Sequence, residues 1–133
     1  MSELKYKETT EKIIGAAMRV HAALGNGFQE VIYQRALAIE FGDNKIPFER
    51  EFNMKVLYKN IEVGERRVDF LIDGKIVVEL KALVNLESVH LAQAKNYLEA
   101  YNVEVGLLIN FGAQSLQFKR LENQKFKSYN NSN

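Results

Sequence analysis

Ile13, Ile14, Ala17, Val20 and Leu24 recur at intervals of three and four, which predicts an amphipathic helix over residues 8–24. His21 borders this stripe and reads as a hydrogen-bonded, partly buried histidine. Gly25-Asn26-Gly27 ends the helix, because Gly and Asn tolerate the left-handed backbone that helix ends require. A second helix begins near Phe28, where Glu30, Tyr33, Gln34 and Leu37 fall three and four apart, so Glu30 and Tyr33 share a face. Gly42-Asp43-Asn44 closes it and Pro47 turns the chain into extended structure. Alternation through Phe52, Met54 and Val56 predicts a strand over residues 51–61 that breaks at Lys59-Asn60. Two runs rich in Val, Ile, Leu and Phe, residues 66–72 and 75–82, flank Asp73-Gly74 and read as a β-hairpin.

The helical period returns from Leu86 to Tyr101. Val89, Leu91, Ala94 and Leu98 form an apolar stripe, with His90, Gln93 and Tyr97 as a polar stripe beside it. Residues 103–111 are almost continuously apolar, as in a strand covered on both faces. With the helix before them and the strand before that they form a β-α-β unit, so the two strands are expected to be parallel. A last strand follows from Leu116 to Leu121. The expectation is an α/β fold with a mixed central sheet flanked by helices, in the order α-α-β-β-β-α-β-β.

Composition narrows this picture. A chain of 133 residues, 47% hydrophobic and 26% charged, suits one globular domain over 1–133, with a core at about 8–121 and a polar tail at 122–133. No run of about 18 apolar residues argues for membrane insertion, and Met1-Ser2-Glu3-Leu4-Lys5 has no secretory pattern, so a cytoplasmic address is expected. With no Cys and only His21 and His90, thiol chemistry and cysteine zinc sites are excluded, and a metal would need carboxylate ligands. A formal charge of +1 gives no global attraction to nucleic acid, only local patches.

The candidate chemistry lies in the hairpin. Glu79 and Lys81, two apart, project to one face of a strand that should otherwise be apolar, and Asp69 is the acid of its partner strand. Isolated buried charges cost several kcal/mol unless paired or bound to metal, so the plain alternative is an ion pair of Lys81 with Glu79 or Asp69. For Glu30 the plain alternative is an acid at a helix N-terminus, worth about 0.3–1 kcal/mol, and for Tyr97 a packed ring with a wet hydroxyl.

Register decides whether Asp69 and Glu79 can meet. A two-residue Asp73-Gly74 turn would set Asp69 opposite Val78 and point it away from Glu79. A shared site therefore calls for an odd loop or a bulge. A three-residue loop Ile72-Asp73-Gly74, with positive φ at Gly74, would pair Leu71 with Lys75 and Asp69 with Val77. Glu79 would then be the diagonal neighbour of Asp69, roughly 7–8 Å away. Glu30 and Gln93 are expected to face this group.

Asp69, nine residues, then Glu79-Leu80-Lys81, resembles the core of the PD-(D/E)XK nuclease superfamily. Gly27-Phe28-Gln29-Glu30-Val31-Ile32-Tyr33 resembles the signature of the GxxExxY proteins, a small family of that superfamily. Ile46-Pro47-Phe48, Val63-Gly64, Arg67-Val68-Asp69, Val89-His90, Ala92-Gln93, Asn96-Tyr97-Leu98 and Gly106–Gly112 extend the likeness over about residues 10–121. Val68 stands where the superfamily pattern has proline, and Phe70 where it asks for an apolar residue.

The resemblance implies a metal-dependent nuclease acting on phosphodiesters of DNA or RNA. Asp69, Glu79 and the Leu80 carbonyl would hold Mg2+ or Mn2+, with Glu30 as a further ligand directly or through water, and Lys81 as a fixed cation. Gln93 and Tyr97, with Arg67, Tyr33 and His90, would contact the substrate. Arg50, Arg66, Arg67, Lys95, Lys119 and Arg120 are candidates for tracking a phosphate backbone, and six such contacts would make binding strongly salt-dependent. No base-reading motif is visible, and whether cutting two strands takes a homodimer stays open. Two alternatives stay open: a non-catalytic module that binds nucleic acid or protein on the same fold, and a structural domain whose acids only pair with Lys81.

Overall fold

The computed structural model describes residues 4–128, and the polar end Asn130-Asn131-Ser132-Asn133 lies outside the described residues. Its elements are α1 (Lys7–Leu24), α2 (Glu30–Asp43), β1 (Phe48–Tyr58), β2 (Ile61–Ile72), β3 (Ile76–Lys81), α3 (Ser88–Tyr101), β4 (Val105–Asn110) and β5 (Gln117–Glu122). This is the order that periodicity predicts. The five strands form one mixed sheet in spatial order β1-β2-β3-β4-β5, with β3 and β4 parallel and the other pairs antiparallel. α3 is the crossover that a parallel pair requires.

Alternation sorts the hairpin residues onto two faces. Phe70, Ile72, Ile76, Val78 and Leu80 pack with Ile13, Ala16, Ala17, Tyr33, Leu37 and Phe41 of α1 and α2. Leu71 and Val77 pack with Leu98 and Tyr101 of α3. β4 is buried at every position, as expected of a strand covered on both faces.

The β2–β3 loop is three residues long, but it lies one residue later than the sequence suggests. Ile72 pairs with Ile76, Leu71 with Val77 and Phe70 with Val78, which leaves Asp73-Gly74-Lys75 as the loop. The Lys75 N–H donates to the Ile72 carbonyl at 2.9 Å across Asp73 (φ 52°) and Gly74 (φ 66°), both left-handed. Lys75 is then left over as a bulge. The physical reason is burial: this register seats Ile76 against Ile72 in the core and sends Lys75 to solvent. Extended by one residue, this register would place Glu79 directly opposite Asp69 instead of diagonal to it.

A second irregularity reverses the faces of the β1–β2 ladder. Phe48 and Phe70 pack on the α1/α2 side, whereas Phe52, Met54, Val56 and Val68 pack on the α3 side, although all are even-numbered. The change falls at Glu51 and Asp69, the one position missing between Arg50↔Phe70 and Phe52↔Val68. Glu51 has φ 55°, a conformation that costs a non-glycine residue about 1–3 kcal/mol. Asp69 thus sits where the sheet turns over.

The segment expected to be a polar tail is docked as far as the described residues run. Asn123 is buried and its Nδ2 donates to the Val103 carbonyl at 3.0 Å, while Asn102 and Lys127 exchange side-chain-to-backbone hydrogen bonds of 2.9 and 3.0 Å. Two asparagines anchor a segment that hydrophobicity alone would leave loose. Among the described residues, no helix is long and apolar enough to cross a membrane.

Candidate active site

β3 parts from β2 immediately after Val78, and the candidate site fills the opening. The ladder stops at Phe70↔Val78, and the next N–H on that edge of β3, that of Leu80, donates to Asp69 Oδ2 at 2.8 Å. A side chain thus takes the place of a ladder partner. The Leu80 carbonyl lies on the same edge of the strand and faces the same opening. Asp69 Oδ1 accepts a hydrogen bond of 2.8 Å from Nε2 of Gln34 on α2. Gln34 is 5% exposed, and its amide is oriented by Arg50, whose Nη1 lies 3.4 Å from Gln34 Oε1. Its spacing places Gln34 on the second helix but gives it no functional role, although it lies one helical turn beyond Glu30, the spacing that brings two side chains onto one face.

Glu79 reaches toward α3, with its carboxyl still in direct interaction with that of Asp69. Its side chain is 15% exposed and ion-pairs with Arg66. Arg66 Nη1 also donates to the Tyr101 hydroxyl at 2.9 Å, and its guanidinium lies 3.9 Å from the centroid of the Tyr97 ring, which stacks on Tyr101. Regular alternation would have put Arg67 on this face with Asp69, but the reversal at Asp69 brings Arg66 here. Arg67 is exposed one residue along and projects away, so it does not join the cleft. Tyr101 is one turn beyond Tyr97, a continuation of the Gln93–Tyr97 spacing.

The cleft between β3 and α3 is lined by Arg66, Glu79, Lys81, His90, Gln93, Ala94, Tyr97 and Leu108. Lys81 makes no ion pair within 4.0 Å among the described residues, which removes the expectation of a structural pair with Glu79 or Asp69. His90 Nδ1 accepts the Glu87 N–H at 3.0 Å, so a neutral ring carries its proton on Nε2. Gln93 is exposed at the mouth. Asp69, Gln34 and Glu30 approach from the α2 side of the opening instead of lining this cleft.

Glu30 is exposed at the first turn of α2, within electrostatic reach of Asp69 and Lys81. Desolvation and Asp69 raise its pKa, while Lys81 and the Ala82 backbone act against the rise. Tyr33 stands differently from the expected substrate contact. It is fully buried and stacked on Phe111 with ring centroids 4.6 Å apart. Its hydroxyl accepts the Phe28 N–H at 3.1 Å and donates to the Gly25 carbonyl at 2.6 Å, clamping the loop that starts α2 and so placing Glu30. Arg120, a candidate for the phosphate backbone, has its guanidinium engaged within the chain by Thr10 Oγ1, the Lys5 carbonyl and Glu122.

Burial pushes the Glu79 carboxyl up to about 7; Arg66 lowers it without offsetting burial, and Asp69 adds to the rise. The folded protein therefore holds this proton more tightly than the unfolded chain, whose value is near 4.5. The resulting stabilisation is complete below pH 4.5 and is lost as pH rises through about 7. In metal-free protein, Glu79→Gln is expected to flatten the fall in unfolding free energy between pH 5 and pH 8 by roughly 2 kcal/mol. Urea titrations at the two pH values measure it, and equal slopes in wild type and variant would refute the burial argument.

Among the described residues, no three Asp, Glu or His side chains converge closely enough to hold a metal ion by themselves. The donor set nevertheless suits a hard divalent cation: two carboxylates and the Leu80 carbonyl, with water to complete the shell. Each Asp69 oxygen accepts one hydrogen bond, Oδ1 from Gln34 and Oδ2 from Leu80.

A family model described as the PD-(D/E)XK nuclease superfamily matches residues 7–121. No curated protein matches the sequence. A solved structure described as "Crystal structure of SSO0001" is similar with a TM-score of 0.53 and 18% sequence identity, over 88% of this chain. The chain spans 59% of that structure's length, and at this identity the likeness bears on the fold alone.

Proposed function

Because the chain belongs to the PD-(D/E)XK nuclease superfamily, we propose that it is a Mg2+- or Mn2+-dependent nuclease that hydrolyses phosphodiester bonds of DNA or RNA. The observation that carries this reading is the split of β2 from β3. It lets Asp69 bond the Leu80 N–H and interact with the Glu79 carboxyl, with Lys81 two residues along the same strand and in no ion pair among the described residues. Within the superfamily we place the chain among the GxxExxY proteins, on Gly27, Glu30 and Tyr33. The Tyr33 clamp, which sets the start of α2 and so the place of Glu30, supports that placement. A cytoplasmic protein acting as a homodimer on two strands fits the same proposal.

Asp69, Glu79 and the Leu80 carbonyl would hold the cation, with Glu30 joining through water. When bound, the cation would polarise the scissile phosphate and acidify a water molecule. Asp69 is fixed by Leu80 N–H and Gln34, so its lone pairs have one orientation. Lys81 offers an ammonium group to the charge that develops on phosphate oxygen. His90 Nε2–H and the Gln93 amide offer neutral donors to the same phosphate, and Tyr97 braces the wall behind them. Glu30 is suited to receive a proton from the attacking water, because its raised pKa lies closer to neutrality than an ordinary carboxylate's.

The test is cleavage of labelled single- and double-stranded DNA and RNA with Mg2+ or Mn2+. The expected result is cleavage that EDTA stops, and cleavage persisting in EDTA would overturn the reading. One observation favours the alternative of a non-catalytic binding module: Glu79 is already satisfied by Arg66. Nucleic-acid binding unaffected by metal, without cleavage, would select it.

A further inference from the structure

Glu79 is held by a cation from its own chain, and that cation is not Lys81. Lys81 lies two residues along the same face, yet Arg66, from the strand that the reversal at Asp69 turns over, makes the ion pair. Arg66 has two further supports that do not involve Glu79: the Tyr101 hydroxyl at 2.9 Å and the face of Tyr97 at 3.9 Å. A buried carboxylate without counter-charge is costly, and two cations on one carboxylate repel each other strongly where water is scarce. The guanidinium and a divalent ion thus compete for Glu79, and the tyrosine pair gives the guanidinium somewhere to remain when it loses.

We infer that Arg66 is a built-in counter-ion for Glu79 that a divalent cation must displace, with Tyr97 and Tyr101 retaining the displaced guanidinium beside the site. The inference rests on the metal-dependent reading above. It makes Arg66 a positioning residue that tunes metal affinity, outside the ligand set itself. With Glu79 already neutralised, Lys81, which makes no ion pair among the described residues, stays available to substrate.

The test is calorimetric titration of the full chain with Mn2+ at pH 8, where proton competition for Glu79 is small. Arg66→Gln is expected to bind Mn2+ at least tenfold more tightly than wild type. Tyr101→Phe, which removes one of the two supports that retain the displaced guanidinium and little else, is expected to bind it a few-fold more weakly and serves if Arg66→Gln fails to fold. Tyr97→Leu keeps the ion pair but removes the resting face, and is expected to bind a few-fold more weakly. If wild type binds and Arg66→Gln binds equally or more weakly, or Tyr101→Phe binds equally or more tightly, the counter-ion inference is wrong and the metal reading stands. If no variant and no wild type takes up Mn2+, both are wrong.

Discussion

Lys81→Met is expected to lower metal-dependent cleavage by about 100- to 1,000-fold, the usual loss when a positioned charge-stabilising donor is removed. The melting temperature should move by no more than about 2 °C, since an isosteric apolar stem replaces a cation that makes no ion pair among the described residues. Asp69→Asn should behave differently. Its two carboxylate oxygens accept from Leu80 N–H and Gln34 Nε2, and an amide can accept only one of those bonds while turning its own NH2 against the other donor. Activity should fall by at least as much as in Lys81→Met, and stability by about 1–3 kcal/mol for a buried donor left unsatisfied. Paired activity assays and thermal melts separate the cases. A Lys81→Met protein of full activity would show that the lysine is only surface.

Gly112→Ala is expected to be the most damaging small substitution in the chain. A Cβ at this position would lie 2.5 Å from the Ala82 carbonyl carbon and from the Leu83 backbone N and O, none of which can rotate out of the way. These atoms directly follow Lys81 and are fixed from the other side by Asn110. The Asn110 Oδ1 accepts the Leu83 N–H at 2.8 Å, and its Nδ2 donates to the Leu83 carbonyl at 2.9 Å. Relief must therefore come from shifting β3 or β4, at a cost of about 3 kcal/mol or more, or roughly 10 °C in melting temperature. The same shift would carry Lys81 out of place. A melt within 3 °C of wild type would show that the loop yields more easily than its hydrogen bonds imply. Gly106→Ala is milder by comparison, because the obstructing atoms belong to the Leu98 side chain, which can rotate.

The elements were legible in the chain because each announces its period locally. The α1 stripe, the alternating strands and the unbroken apolar β4 depend on neighbours within a few residues, and so does the parallel pairing forced by a helix between two buried strands. The candidate residues Asp69, Glu79 and Lys81 stood out for a local reason too, as charges where the pattern calls for apolar side chains. The need for an odd β2–β3 loop followed from parity alone.

Contacts between distant segments decided the rest. Which three residues make the loop was settled by whether Ile76 or Lys75 meets Ile72, a matter of burial against helices some 40 residues earlier in the chain. The reversal at Glu51 and Asp69 has no sequence mark, since Glu51 adopts a left-handed backbone that no glycine or asparagine advertises. That reversal put Arg66 instead of Arg67 beside Glu79. Gln34 gained its role only because α2 packs over the opening between two strands, and Tyr33, on the neighbouring position of the same helix, went into the core and the Gly25 loop. Local periodicity says which residues share a face of one element. Which faces come together, and which charge then neutralises which, is fixed only when the separate elements are packed and their buried polar groups have found partners.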